Sequence, residues 1–365
     1  MELTKCKLGE LITQRREKND GSDLPICGVS KDGLIPPKQK DADTSIYNVF
    51  YRDDFIFNPA RMELNSIAIN DMYDRAICSS LYEVFYVHRT DLLLPHYLEL
   101  IIRQKWFTRY CEFLGQGSAR EYCRFGNISE IEIEFPPIEE QQKIVEYNTA
   151  IENRIALKQK INDNLLNSVQ AIFRSWFVDY APFDGVCPSN WETGCVEDIA
   201  EFFDSMRKPL SSLERADMER IYPYYGAVSI VDYVDDYIFD GEYLLVSEDG
   251  IYVVDENGHP LIQHISGKFW ANNHAHILKG KAGFNEDSLY LFLANTNMAP
   301  IVTGAAQPKI NQANLKNFPI TTPDSETMLK FNNIIQPFFD QRLTNESEIK
   351  KLEALQSLLL TRLVD

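Results

Sequence analysis

The chain has 365 residues, 44 % hydrophobic and 25 % charged, values that exclude a disordered chain. Its formal net charge is −18, from 36 basic and 54 acidic side chains, which argues against a nucleic-acid binder built on a basic surface. No apolar segment opens the chain as a secretory signal would, and none approaches the ~18 residues of a membrane span, so a cytoplasmic protein with no membrane partner is expected.

Residues 1–135 read as one globular unit. Ser45–Tyr51, Ser66–Asn70 and Leu81–Val87 are strand-like, and Leu93–Phe113 has a helical pattern. The unit closes on GSAREYCRFGNISEIEIEFPP, which starts at Gly117. Residues 136–181 then predict a long central helix, with no Gly or Pro for over forty residues after Pro137. Ile144, Asn148, Ile151, Ile155, Lys158, Asn162, Leu165, Val169, Ile172 and Trp176 are spaced alternately by four and three, a heptad seam with polar interruptions. At ~1.5 Å per residue such a helix would be about 60 Å long.

A joint from Pro182 to Trp191 opens a second unit, residues 182–322. Residues 222–254 are rich in Tyr, Val and Ile and cut by Gly and Asp, the pattern of short strands and turns. This unit closes on GAAQPKINQANLKNFPITTPD from Gly304. Residues 323–365 predict a second long helix with its seam at Phe331, Ile335, Phe338, Arg342, Asn345, Ile349, Leu352, Gln356, Leu359 and Leu363. Pro337 should kink this helix or delay its regular start.

The two halves are one frame used twice, with a shift of 187 residues. Without a gap, Gly117 falls on Gly304, Asn127 on Asn314, Ile133 on Ile320 and Pro136 on Pro323. Neither long helix can bury its stripe alone, and the simplest partner for each is the other. The interiors of the two globular units diverge, which suits one scaffold carrying two recognition surfaces.

No catalytic constellation stands out. Asn58-Pro59-Ala60-Arg61 brushes against the Asn-Pro-Pro-Tyr loop of adenine methyltransferases, but it lacks the second proline and the aromatic, and no glycine-rich cofactor loop precedes it. His274 and His276 are two apart, hence on one strand face, with no third metal ligand in sight; packing or hydrogen bonding is the expected role. Asp232, Asp235, Asp236 and Asp240 lack metal-loop spacing and read as a solvated turn. The seven cysteines never form Cys-x-x-Cys and read as buried thiols in a reducing compartment. No metal and no cofactor are expected in this chain.

Each half instead ends its globular unit with a loop of small residues carrying polar side chains. Arg120, Tyr122 and Arg124 lie in the first, and Gln307, Lys309, Asn311 and Gln312 in the second. Arg can take two guanine acceptors and Asn or Gln can pair with adenine, so these residue types suit base reading; a helix cap on a surface turn is the alternative. Tyr224 and Tyr225 could stack on or contact a strand.

These loop-plus-proline segments, each launching a long helix, resemble the specificity subunits of type I restriction–modification systems. YPYYGAVSIVDYVDDYIFDGEYLLVSEDG followed by GKFWANNHAHIL looks like a target recognition domain of that family, and CKLGELI and WETGCVEDIA look like its domain starts. The resemblance covers nearly the whole chain. It implies an α+β fold: two α/β target recognition domains separated by two long antiparallel helices, related by an internal pseudo-two-fold. Ile144, Ile151, Ile155, Leu165, Val169 and Ile172 would pair with Phe331, Ile335, Phe338, Ile349, Leu352 and Leu359.

The implied role is non-catalytic. Each domain would read one half of a bipartite site in double-stranded DNA, and the helices would set the spacer and dock two methyltransferase subunits. Those partners would carry S-adenosylmethionine and flip an adenine out for methylation; restriction/translocase subunits would bring ATP and Mg. Two other readings remain: a solitary adenine methyltransferase with an embedded recognition domain, and a coiled-coil scaffold that never meets DNA.

The charge divides unevenly along this frame. Residues 1–135 carry −4, 136–181 carry −1, 182–322 carry −11 and 323–365 carry −2. Since phosphate neutralisation supplies most non-specific affinity, the isolated chain should hold DNA poorly and its complex well.

Overall fold

The computed structural model describes residues 3–31, 33–37, 43–115, 123–250, 253–304 and 306–361. By contacts the chain forms two units, residues 1–158 with 347–365, and residues 159–346. Among the described residues no helix is long and apolar enough to cross a membrane.

The first unit is framed by an antiparallel pair, Thr4–Lys7 with Glu132–Phe135, in which Thr4 faces Phe135. Inside the frame lie two four-stranded sheets. One runs in the order Ile12–Arg15, Glu83–Val87, Phe55–Phe57, Ile67–Ile69; the other runs Gly33–Ile35, Ile26–Ser30, Arg75–Cys78, Asn48–Tyr51. Strand alternation explains why Phe55, Ile56 and Phe57 are all fully buried: the two Phe join one core and Ile56 joins another. Phe55 stacks on Phe85 at 5.0 Å. The predicted helix at 93–113 is two helices, Pro95–Ile102 and Lys105–Gly115, which break at Arg103 and Gln104. The strand-like stretches shorten to Asn48–Tyr51, Ile67–Ile69 and Glu83–Val87, and 3-10 turn Thr44–Ile46 replaces the start of the first.

The long helix Ile138–Phe177 leaves this frame after Pro136 and Pro137. Its buried Gln141 accepts from the Leu94 amide at 2.9 Å and donates to the carbonyls of Leu92 and Pro136 at 2.7 and 2.8 Å, clamping the helix start to the domain. Ile144 packs on the domain core, Ile151 is buried and Ile155 half-buried. In the same unit the C-terminal part of the second long helix runs antiparallel to it. Gln356 donates to Asn148 at 3.0 Å, and Glu348 pairs with Lys158 at 2.7 Å and with Arg154. Ile349, Leu352 and Leu359 are half-buried along that seam.

The second unit repeats the frame: Glu192–Cys195 pairs antiparallel with Pro319–Thr322, immediately before Pro323. Its main sheet has six strands in the order Ala200–Phe202, Ala275–Gly280, Phe239–Ser247, Ile262–Ala271, Tyr222–Tyr225, Ile230–Val234. The helix Glu286–Ala294 carries Leu289, Leu291 and Leu293 into a core shared with Phe331 and Ile335. The second long helix, Ser325–Thr361, runs unbroken through Pro337, so the expected delay of its start is absent. Val169 is buried and Leu165 and Ile172 are half-buried; Phe331 and Ile335 are buried and Phe338 is half-buried. Phe177 meets Phe331 at 4.7 Å, and Asn345 donates to Asn162 at 2.8 Å, so this unit's helix segments are antiparallel too.

Among the described cysteines all are free; Cys27, Cys78 and Cys123 are buried, but Cys187 is exposed. Asp235 and Asp236 are exposed in a turn as expected, but Asp240 lies in the strand Phe239–Ser247 and Asp232 in the strand Ile230–Val234, where it pairs with Arg215 at 3.0 Å.

Candidate nucleic-acid interface

The loop of the second unit is closed by two backbone hydrogen bonds, Thr303 to Lys309 and Lys309 to Thr303, both at 2.8 Å. Gly304 turns it with φ +85°, and a Cβ there would stand 2.4 Å from the Gln307 carbonyl oxygen, so only glycine fits. The Ile310 amide donates to the Glu248 carbonyl at 2.9 Å and the Gly250 amide to the Pro308 carbonyl at 3.3 Å. These ties fix the loop to the end of the strand Phe239–Ser247.

Beneath the loop lies a buried charge network. His276 is fully buried, with Nδ1 2.6 Å from Asp204 and Nε2 2.8 Å from the Ile310 carbonyl. Arg207 donates to Glu248 at 2.6 Å and to the Ala275 carbonyl at 2.7 Å, and Lys309 pairs with Glu248 at 2.9 Å. Burial pushes the Glu248 carboxyl up, but hydrogen bonds from Lys309 and Arg207 outweigh it and hold it below the usual range. Asp204 is held low in the same way, by His276, the Ile277 amide and the Arg207 charge acting against burial. Asp204, Glu248 and His276 lie close enough to hold a metal ion, their ligand atoms all within 4.8 Å. Arg207 and Lys309 already supply the counter-charge, and each carboxylate is engaged by them. The cluster therefore positions the loop; its donors are spent.

Gln307 is exposed and presents its amide outward, while Lys309 is 45 % exposed with its ammonium on Glu248. Asn311 spends its side chain as a helix cap, accepting from the Asn314 amide at 2.8 Å, and Gln312 is half-buried at the first position of that helix. Tyr224 is 2 % exposed, its hydroxyl accepting from the Leu210 amide at 2.9 Å, so its ring belongs to the core rather than to a stacking surface. Tyr225 is half-buried edge-on to Phe269 at 5.7 Å. His274 and His276 do not share a strand face: His274 is in the turn before the strand, 2.7 Å from Asp249 and half exposed.

In the first unit Arg124 occupies the position that Asn311 has in the second. Its amide donates to Asn127 at 2.8 Å, capping the helix Phe125–Ser129 in reverse sense, and its side chain is 63 % exposed, with the guanidinium 3.1 Å from Glu83. Arg120 and Tyr122 lie outside the described residues. Asp204, Arg207 and Glu248 escaped the sequence reading because nothing in their spacing links them; only His276 gave a local signal.

The type I restriction modification DNA specificity domain matches residues 6–167 and again residues 188–355, each match holding one frame and one loop. The chain belongs to this DNA specificity domain family. Members similar to it include a Haemophilus influenzae chain described as type I restriction enzyme specificity subunit S.HindORF215P, 38 % identical over 35 % of this chain and 32 % of that one. The matched stretch thus spans about a third of the Haemophilus protein's length. The MjaIX specificity subunit of Methanocaldococcus jannaschii is 23 % identical over 75 % of this chain and 69 % of its own. The fold is that of the S subunit of a type I restriction–modification system from M. genitalium, with TM-score 0.62 and 14 % identity, covering 100 % of this chain and 96 % of that chain.

Proposed function

We propose that this chain is the DNA-recognition subunit of a type I restriction–modification complex. The carrying observation is the double occurrence of the DNA specificity domain, each copy with the same two-stranded frame and long helix. Residues 1–135 and 182–322 each read one half of a bipartite site in double-stranded DNA; residues 136–181 and 323–365 set the spacer and dock two methyltransferase subunits. Gln307 and Lys309 in the second domain, and Arg124 with Arg120 and Tyr122 in the first, are the proposed DNA contacts. Asn311 and Gln312 shape the second loop, and Tyr225 supports its sheet.

The chain is non-catalytic in this reading and works in the cytoplasm. S-adenosylmethionine binds in the methyltransferase partners, and ATP and Mg in the restriction/translocase partners. Calorimetry of the purified chain with S-adenosylmethionine tests the assignment: no heat is expected, and saturable binding would make it a solitary methyltransferase. Reconstitution with methyltransferase subunits should produce sequence-specific DNA retention. A complex that retains no DNA would favour the scaffold reading.

A further inference from the structure

We propose that a cleft in the first unit holds the sugar–phosphate backbone of one DNA strand on Lys31 and Arg61, while the adjoining turn Ser79–Leu81 contacts its bases; this rests on the DNA-recognition reading above. The cleft has a volume of about 1220 Å³. Among the described residues, Lys31, Arg61, Arg103 and Arg124 line it against one acid, Glu83, in a chain whose net charge is −18. Such a local basic surface is what phosphate binding needs and what the overall charge denies.

The four cations differ in availability. Arg103 pairs with Glu99 at 2.5 Å and Glu152 at 3.2 Å, and Arg124 with Glu83 at 3.1 Å. Lys31 and Arg61 are exposed and have no ion-pair partner among the described residues. Arg61 is also held firmly. Asn58 accepts from the Ala60 amide at 3.1 Å, Pro59 starts the 3-10 turn, and the Cys123 amide ties to the Pro59 carbonyl at 3.1 Å. The Asn58-Pro59-Ala60-Arg61 motif thus serves as a rigid mount for a cation at the cleft.

At the same cleft, after the strand that pairs with Ile26–Ser30, Ser79 fixes a turn, its hydroxyl accepting from the Leu81 amide at 3.3 Å and its carbonyl from the Tyr82 amide at 3.0 Å. Leu81 at the tip is 78 % exposed. A leucine held open to water beside two unpaired cations suits a thymine methyl in a major groove, with the Ser80 hydroxyl near a base edge. Phosphate contacts position a duplex and base contacts specify it, so the cations and the turn should separate experimentally.

The test uses the full chain assembled with methyltransferase subunits, on duplexes carrying the site read from its methylation pattern, titrated between 50 and 200 mM salt. Lys31→Ala with Arg61→Ala should weaken binding equally across sequences and lower the salt slope by about 2. Leu81→Ala should leave that slope unchanged and cut discrimination at one base pair of one half-site about tenfold. All three residues are exposed, so matched thermal melts check the fold. Wild-type binding with an unaltered slope in the double variant, or unaltered discrimination in Leu81→Ala, overturns the proposal. If the wild-type complex binds polyanions without sequence preference, or no DNA at all, the DNA-recognition reading itself fails.

Discussion

Gly304 sits at φ +85° under the Gln307 carbonyl, and that one backbone angle shapes the loop that presents Gln307 and Lys309. Gly304→Ala should cost about 1–2 kcal/mol in local stability and blunt recognition of one half-site, read by thermal melting and by methylation of the site. A second residue-scale consequence comes from His264 and Asp287, which stand 3.5 Å apart. Burial, and then the charges of Glu242, Asp340 and Glu286, push Asp287 up to about 7. Burial, and then Arg342, push His264 down to about 4. Between pH 4 and 6.5 folding takes up a proton at Asp287 and releases one at His264, so the two effects on stability cancel. Asp287→Asn leaves the histidine alone, and stability should then rise with pH across that window by about 1 kcal/mol per unit. His264→Gln should give the opposite slope, stability falling as pH rises to 7; equal, flat profiles in both variants would contradict the pairing. Residue-level roles were only partly legible in sequence. The loop stood out because the repeat aligned Gly117 with Gly304 and Asn127 with Asn314, but whether Tyr224 faces water depends on strand register, which local spacing does not fix. The Asp204–His276–Glu248 network is invisible before folding, since its members meet only through the six-stranded sheet.

At the scale of elements the helices were the most legible part, because a period of four and three names the buried stripe directly. Every position of both seams within the described residues is buried or half-buried. What spacing alone leaves open is how the polar interruptions are satisfied. Asn148 meets Gln356 and Asn162 meets Asn345 across the seam, while Lys158 pairs with Glu348 beside it. Such buried polar pairs specify register at some expense of stability. Asn345→Ala leaves Asn162 without its partner and should cost about 1–3 kcal/mol in urea unfolding. Replacing both Asn by Leu should recover most of that loss while admitting shifted helix registers, detectable by cysteine cross-linking along the seam. A double replacement as unstable as Asn345→Ala would contradict the assignment. The strands were less legible: Ile262–Ala271 and Ala275–Gly280 are long, paired elements that composition did not separate from loop. Ala275–Ile277 and Leu278 are buried on both faces, as are Phe269–Ala271, which removes there the alternation that marks a half-exposed strand.

For the whole molecule, duplication is the organising fact. Two frames, two loops and two long helices come from one pattern shifted by 187 residues, and that pattern was readable without any structure. The acidity concentrates in residues 182–322, so the isolated chain should bind DNA weakly and its complex strongly, with affinity falling steeply between 50 and 200 mM salt. Adding or deleting one heptad in both long helices should change the spacer tolerated between half-sites. The most direct test of the central claim is the methylome of a host in which residues 182–322 are exchanged for another recognition domain. The account predicts that one half of the bipartite methylated motif changes while the other half persists. An unchanged motif would contradict it.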